Sequence, residues 1–516
     1  MISENKRIIK NTSLLYLRTI IVMFISLYTS RVILRVLGVE DFGIYSVVGS
    51  LVTMFSLMSN SMITASQRFI SFDLGRNNLN DLKKTVSGCI TIHILLGLII
   101  VIIAELVGVW FLNNKMNIEP DRIIAANWVF QCSLLIFFFN IINIPYNAII
   151  ISHEKMNAFA YLSVLEVCMN LLGVYMLKCI PYDKLIIYAI LMLINSILLR
   201  LIYIVYCKTN FPEARQIKLK IDSKIFKQIF SFAGWNMFGS GTVVLRNQGI
   251  DILLNLFFGV IVNAAKGISS QVQHAFYSFV SSFQTAINPQ ITKNYATKNY
   301  QRVHFLIKQG SRFSFYLLIL LSMPVLLETD IILDYWLGKV PDYSVIFIRL
   351  ILISLLIETL SRFMIVAVQA TGKIKKYQIV VGGTKLLALP LTYLFLKLGC
   401  NPTIGIVINM IIEIVCLFLR LYFVKKMLNF DVKDFLNDVV IKSVFVLSIS
   451  LVLPFMMKQY LPELNVFLHL SIVTVSCFIS CCLCIYYYGL SKNEKTLIIE
   501  YTTKFINNIT IRKKDE

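Results

Sequence analysis

Charge is scarce in this 516-residue chain: 15% of residues are charged, against about 25% in a soluble globular protein. Acidic residues are the scarcer kind, with 28 Asp plus Glu against 49 Lys plus Arg. With 57% of its residues hydrophobic, such a chain cannot hide its apolar surface in a water-soluble core. Enzyme signatures are missing too: no phosphate-cradling glycine loop followed by lysine, no HExxH and no nucleophile elbow. The 11 cysteines lie mostly within apolar runs, among them Cys477, Cys481, Cys482 and Cys484, with no zinc or disulfide spacing. No catalytic residue, metal or cofactor is therefore expected. Basic runs interleaved with aromatics are absent as well, so the net charge of +21 does not point to nucleic acid.

What the chain has instead is apolar runs of about 20 residues, the length of a helix crossing a hydrocarbon core. They fall near 13–37, 44–70, 85–112, 124–152, 157–178, 184–206, 229–257, 261–288, 309–333, 343–370, 376–397, 403–424, 439–458 and 465–489. The expected fold class is thus an all-α polytopic membrane protein with about fourteen transmembrane helices. The first run follows a short basic N-terminus but is too long for a signal-peptide core and lacks a small-residue cleavage site.

Cations collect in alternate loops. One set holds Lys6, Arg7 and Lys10; Arg76, Lys83 and Lys84; Lys208, Arg215, Lys218 and Lys220; Lys293, Lys298 and Arg302; Lys373 and Lys375; and a tail ending in Arg512, Lys513 and Lys514. The opposite loops carry only scattered cations such as Lys115, Arg122, Lys339 and Lys458. The positive-inside rule then makes both termini cytoplasmic.

An internal repeat organises the rest. The stretch 35–84 aligns with one beginning near 255, placing Gly38 on Gly259 and Asn78 on Asn299 at one and the same displacement. Leu199-Arg200-Leu201 matches Leu419-Arg420-Leu421 at almost the same displacement, so the offset hardly drifts over six spans. Because six spans is an even number, both copies enter the membrane in the same direction. The expected organisation is a six-helix half at 1–206, a basic cytoplasmic linker at 207–228, a second six-helix half at 229–425, two further helices within 426–490 and a basic tail at 491–516.

Ionisable side chains inside spans are costly unless paired or facing water, which makes each a candidate for function. The first span carries Arg18, Arg31 and Arg35, the last two on one face, and the seventh carries Arg246 followed by Asp251. Arg18 and Arg35 lie near span ends, where snorkelling is an alternative account. Glu166 and Lys385 occupy equivalent repeat positions, either facing one another or pairing locally. With Asp251 they are the candidates for ion coupling. Glu358 and Arg362 are spaced for an intrahelical pair, and Glu413 has no sequence-local partner. The eighth span is polar enough to require a cavity or polar neighbours, with Gln271 and His274 among its residues.

The segments LRVLGVEDFGIYSVVGS (34–50), ITASQRFISFDLGR (63–76), SHEKMNAFAYLSVLE (152–166), FAGWNMFGSGTVVLRNQGIDILLNLFFG (232–259) and INPQITKNYA (287–296) resemble the polysaccharide flippases. These are the O-antigen and capsule repeat-unit exporters of the multidrug, oligosaccharidyl-lipid and polysaccharide superfamily. The resemblance implies two parallel six-helix lobes in a V, as in MATE transporters, plus two C-terminal helices. It also implies export of an undecaprenyl-diphosphate-linked oligosaccharide across the bacterial inner membrane by alternating access. The partners implied are that lipid-linked substrate, the bilayer, and the polymerase and glycosyltransferases of the same pathway. Arg31, Arg35 and Arg246 match the family's basic cavity, with Gln271 and His274 as further cavity candidates. A multidrug or cation exporter of the same superfamily is the alternative. A membrane glycan polymerase or ligase is a more remote one, disfavoured by the short outer loops.

Overall fold

The computed structural model describes residues 2–53, 56–114, 119–177, 180–215, 217, 223–337, 340–460, 465–492 and 494–496. Lys115, Lys218, Lys220, Lys339 and the tail cations Arg512, Lys513 and Lys514 lie outside the described residues.

All regular structure among the described residues is helical. The first half comprises α1 (Ile2–Thr53), α2 (Ser56–Gly75), α3 (Leu79–Asn114), α4 (Ile123–Ser152), α5 (Met156–Met176) and α6 (Lys184–Asn210). Then follow α7 (Ser223–Phe258), α8 (Val260–Ala296), α9 (Tyr300–Leu327), α10 (Thr329–Leu337) and α11 (Ser344–Thr371). The chain continues through α12 (Lys375–Leu386), α13 (Ala388–Lys397), α14 (Ile404–Leu428), α15 (Val432–Phe435), α16 (Lys442–Tyr460) and α17 (Val466–Cys484). Among the described residues, eleven helical segments are long and apolar enough to cross a bilayer. The other expected spans fall on α2 with the end of α1, on α7 and on α8, which are long helices but more polar. The span expected at 376–397 is broken at Leu387 into α12 and α13.

The exposed faces are those of a multi-pass membrane protein. On α3, Leu95, Leu98, Ile99, Ile102, Ile103 and Leu106 are all exposed at three- and four-residue spacing, one apolar stripe suited to lipid.

Turn geometry repeats between the halves. The helix α1 kinks at Gly38 (φ 82°), and its repeat mate Gly259 (φ 78°) separates α7 from α8. A side chain at either would cost about 1–2 kcal/mol of backbone strain, which explains why both copies carry glycine there. Asn77 (φ 55°) precedes Asn78, whose Oδ1 accepts from the N–H groups of Asn80 and Asp81 at the start of α3. Lys298 (φ 59°) precedes Asn299, whose Oδ1 accepts from the Arg302 N–H in α9. Glu154 (φ 58°), between α4 and α5, has its counterpart in Gly372 (φ 75°), between α11 and α12.

Two compact units emerge from the packing. The first gathers Met1–Gln248, Ser281–Ile307 and Phe363–Leu387; the second gathers Gly249–Val280, Lys308–Arg362 and Ala388–Glu516. Within the first, α4 packs against α3 and α6, and α1 against α5. Gly108 admits the Phe130 ring so closely that a Cβ would lie 2.3 Å from it. Asp183 caps α6 by accepting from the N–H groups of Leu185 and Ile186, and Arg122 bridges Asp183 to the buried Asp41 beyond the kink. Phe211 and Ala214, at the start of the linker, are buried in the same core as Tyr146 and Tyr203. Within the second unit, buried Glu328 receives Lys458 of α16 and His469 of α17, while Lys308 pairs with Asp434 and Arg312 with Glu494. Charge thus fastens the last helices to their unit.

Candidate functional site

A polar interior space lies inside the first unit. Arg18 of α1, Ser59 and Gln67 of α2, Asn140, Asn143 and Asn147 of α4, Ser163 and Glu166 of α5, and Arg200 and Tyr203 of α6 line a cavity of about 280 Å3. A second space of about 150 Å3 shares Asn140, Glu166 and Arg200 and continues to Asn170, Asn195 and Ser196. The asparagines of α4 fall at i, i+3 and i+7, a spacing that brings them to one helix face.

Arg200 organises this cavity. Its Nε donates to Asn140 Oδ1 at 3.0 Å, and its second terminal nitrogen donates to Glu166 Oε1 at 2.9 Å. The Arg18 guanidinium stands 4.9 Å from the Phe159 ring centroid, close enough for a cation–π contact. Several buried polar atoms have no hydrogen-bond partner among the described residues: Asn143 Oδ1, Asn147 Oδ1, Ser59 Oγ, Ser196 Oγ and Arg18 Nε. Buried polar groups without partners are expensive in a bilayer-embedded bundle, so this cavity suits water or a polar ligand.

The second unit contains the repeat counterpart of Arg200. That residue, Arg420, donates to the Oγ of Ser361, which itself occupies the repeat position equivalent to Asn140. Arg420 also meets Glu413 at 3.4 Å, both side chains almost fully buried at 1% and 2% exposure. The carboxylate that no neighbouring residue was expected to partner is therefore paired further along its own helix. Beside it, Arg362 pairs with Glu358 at 2.8 Å and donates to the Tyr277 hydroxyl at 2.6 Å. One repeat copy thus surrounds its arginine with a cavity, and the other with a closed ion-pair cluster. Removing one member of such a buried pair leaves an uncompensated charge. Glu413→Ala is expected to lose about 3–5 kcal/mol of stability, and adding Arg420→Met should recover most of it. Thermal unfolding in detergent tests this; an unchanged midpoint in Glu413→Ala would refute it.

Among the expected site residues, Arg31, Arg35, Arg246, Glu166 and Lys385 fall in the first unit and Asp251, Gln271 and His274 in the second. Arg31 and Arg35 are exposed on α1. Arg246 is 6% exposed on α7, its Nε donating to Asn247 Oδ1 at 3.3 Å. Gln271 and His274 are exposed on α8, at a spacing that puts them on one side of it. Asp251 stands 3.8 Å from Lys266, and Lys385 is buried at the end of α12. Glu166 pairs locally, with Arg200. Sequence reasoning missed Arg200 and the α4 asparagines as cavity residues, although the helical spacing of the asparagines was a usable signal. Arg18, a candidate near a span end, lines the cavity.

A search of curated proteins by sequence found no match. Among solved structures, the chain is similar to MATE in the bent conformation (TM-score 0.71, 12% identity, covering 83% of this chain and 96% of that one). It is similar to the MATE transporter ClbM in complex with Rb+ (TM-score 0.68, 15% identity, 84% and 96% covered). A third similar structure is a MOP superfamily transporter from Pyrococcus furiosus whose binding pocket is described as having reverse polarity (TM-score 0.66, 12% identity, 81% and 96% covered). At these identities the likeness establishes the fold. The MatE family model matches residues 243–394. The model described as polysaccharide biosynthesis protein matches residues 8–294, more than half of the chain. With that match and a MATE-like fold, the chain belongs to the polysaccharide biosynthesis protein family, the flippase family of the MOP superfamily of transporters.

Proposed function

We propose that this transporter moves an oligosaccharide linked to a polyprenyl diphosphate from one leaflet to the other by alternating access, supplying surface polysaccharide synthesis. The observation that carries the reading is the arginine- and asparagine-lined cavity inside a membrane-spanning bundle of this family. A lipid-linked diphosphate is an anion bearing a hydroxyl-rich sugar. Guanidinium groups compensate the first, and amide groups match the second. Arg31, Arg35, Arg246, Gln271 and His274 contribute further contacts in this reading. The membrane is the bacterial inner membrane, and the polymerase and glycosyltransferases of the pathway are the functional partners.

Glu166 is the ion-coupling candidate with the most suitable geometry, because protonating it would release Arg200 from its ion pair. Lys385 and Asp251 remain candidates in the same role. A drug or cation exporter is favoured by one observation, the MatE match over residues 243–394, but an acidic cavity would suit that cargo better than two arginines. The test is glycan export in a strain that requires this chain, with an organic-cation efflux assay beside it. Restored export without cation resistance supports the flippase reading, and the reverse result supports the exporter.

Orientation has its own test. Cysteines at Arg215 and Asp342 are expected to label from the cytoplasmic and periplasmic sides respectively, given the cation asymmetry. Labelling of position 215 by an impermeant reagent on intact cells would overturn that topology.

A further inference from the structure

The α4–α5 turn carries a side chain that neither repeat nor cavity explains. Glu154 holds a left-handed backbone, unusual for a residue with a Cβ, and its carboxylate is 4% exposed. Lys293 Nζ lies 2.7 Å from one carboxylate oxygen, and Gln290 Nε2 and Arg7 Nε each lie 3.1 Å from the other. Arg7 also donates to the His153 carbonyl. Behind the turn, His153 stacks on Phe211 and pairs with Glu213 at 2.6 Å, which fixes it to the start of the linker. A turn of the first repeat is therefore gripped by α8, the second helix of the other repeat.

The reciprocal contact exists. Arg68 of α2 donates to the Ala370 carbonyl at 3.1 Å, beside the α11–α12 turn. A Cβ on Gly372 would come 2.7 Å from the same guanidinium. The displacement that carries Gly38 onto Gly259 carries position 68 onto position 289, so Arg68 and the Gln290–Lys293 segment are near-equivalent. Between the two contacts, α2 and α8 cross closely: a Cβ on Gly75 would lie 2.8 Å from Lys293 backbone atoms and 3.0 Å from Ala296, its own repeat counterpart. The space beside this crossing is small, about 100 Å3, and polar, lined by Gln67, Arg68, Asn288, Thr292 and Gln369. The buried Asn288 Oδ1 at this space finds no donor among the described residues.

The crossing joins small-residue packing at Gly75 and Ala296 to flanks closed by charge and lined by amides. Buried ion pairs recover little net free energy over their desolvation, yet they fix one geometry. That combination suits a contact with two states.

We propose that Glu154 with Arg7, Gln290 and Lys293, and Arg68 with the Ala370–Gly372 turn, form the two repeat-related clasps of a gate. The clasps hold the two repeats together at the face bearing the N-terminus, and they separate when the transport pathway opens toward that face. This rests on the transport reading above, but its test requires no sugar substrate. Thr292→Cys places a thiol at a site 5% exposed in the closed contact. In purified full-length protein in lipid nanodiscs, N-ethylmaleimide modification at that residue is read by mass spectrometry. Glu154→Lys is expected to raise the rate about tenfold, a shift of the two-state equilibrium that follows from replacing the attraction of Lys293 and Arg7 for a buried carboxylate by repulsion. Combining it with Lys293→Glu should bring the rate back to within about twofold of the parent. Arg68→Gln should raise it as well, and carries the test alone if Glu154→Lys yields no monodisperse protein. A rate unchanged in the single variants, or equally high in the charge swap, would overturn the gate. Altered labelling without glycan export in the parent would instead overturn the flippase reading and leave the gate standing.

Discussion

Arg246→Glu is expected to abolish glycan export in a strain that depends on this transporter, with Arg246→Ala severely impaired and Arg246→Lys partly active. Arg246 is 6% exposed and stands well inside α7, which ends at Phe258. At 1.5 Å per residue that is about 18 Å from the helix end, too deep for the side chain to snorkel to a surface. A guanidinium at that depth needs polar or anionic company. Its Nε donates to Asn247 Oδ1 at 3.3 Å, and in the flippase reading a substrate diphosphate adds to that company. Truncating one member of a buried charged contact costs about 2–5 kcal/mol, so the alanine variant should lose roughly thirtyfold or more in export. Lysine keeps the charge but not the paired donors that grip a phosphate, so it separates geometry from charge. Each variant is compared at equal abundance in the membrane. Normal export by a well-inserted Arg246→Glu protein would remove this residue from the substrate's path.

Much of the architecture was legible because membrane helices declare themselves by length and because the turns are set by a few special residues. Gly38 and Gly259 could be paired from the alignment, and each takes a positive φ where its helix breaks. Asn78 and Asn299 could be paired in the same way, and each caps the helix that follows. The intrahelical Glu358–Arg362 pair followed from i, i+4 spacing alone. What sequence could not give was tertiary pairing across helices. Glu166 and Lys385 occupy equivalent positions, but Glu166 meets Arg200, a residue noticed only as a marker of the repeat. The break at Leu387 had a signal that went unused, since Pro390 lacks the N–H that would bond the Leu386 carbonyl and its ring crowds that oxygen. The gate residues were counted as cytoplasmic loop cations or passed over, because Glu154 gains its meaning only when α8 is laid against it.

Arg200→Ala is expected to eliminate export while lowering thermal stability only modestly, and that inequality is the diagnostic. The Arg200 side chain is 12% exposed and its partner Glu166 38% exposed, so solvent screens the pair. Its contribution to folding is then about 1 kcal/mol, in the range of exposed pairs rather than buried ones. The repeat counterpart at Arg420 and Glu413 is sealed, and there the stability effect should be several-fold larger. If Arg200 served only to neutralise Glu166, removing both charges together would restore export, because no uncompensated group would remain in the cavity. If Arg200 engages the substrate's diphosphate, the double variant Glu166→Gln with Arg200→Ala stays as inactive as Arg200→Ala alone, because neutralising Glu166 does not replace the lost cation. The four proteins form a double-mutant cycle in which stability and export are read separately. Coupling confined to stability would make the pair a structural fastener. Loss of export that follows Arg200 alone, whatever stands at position 166, would make this arginine the anion-binding group of the first unit.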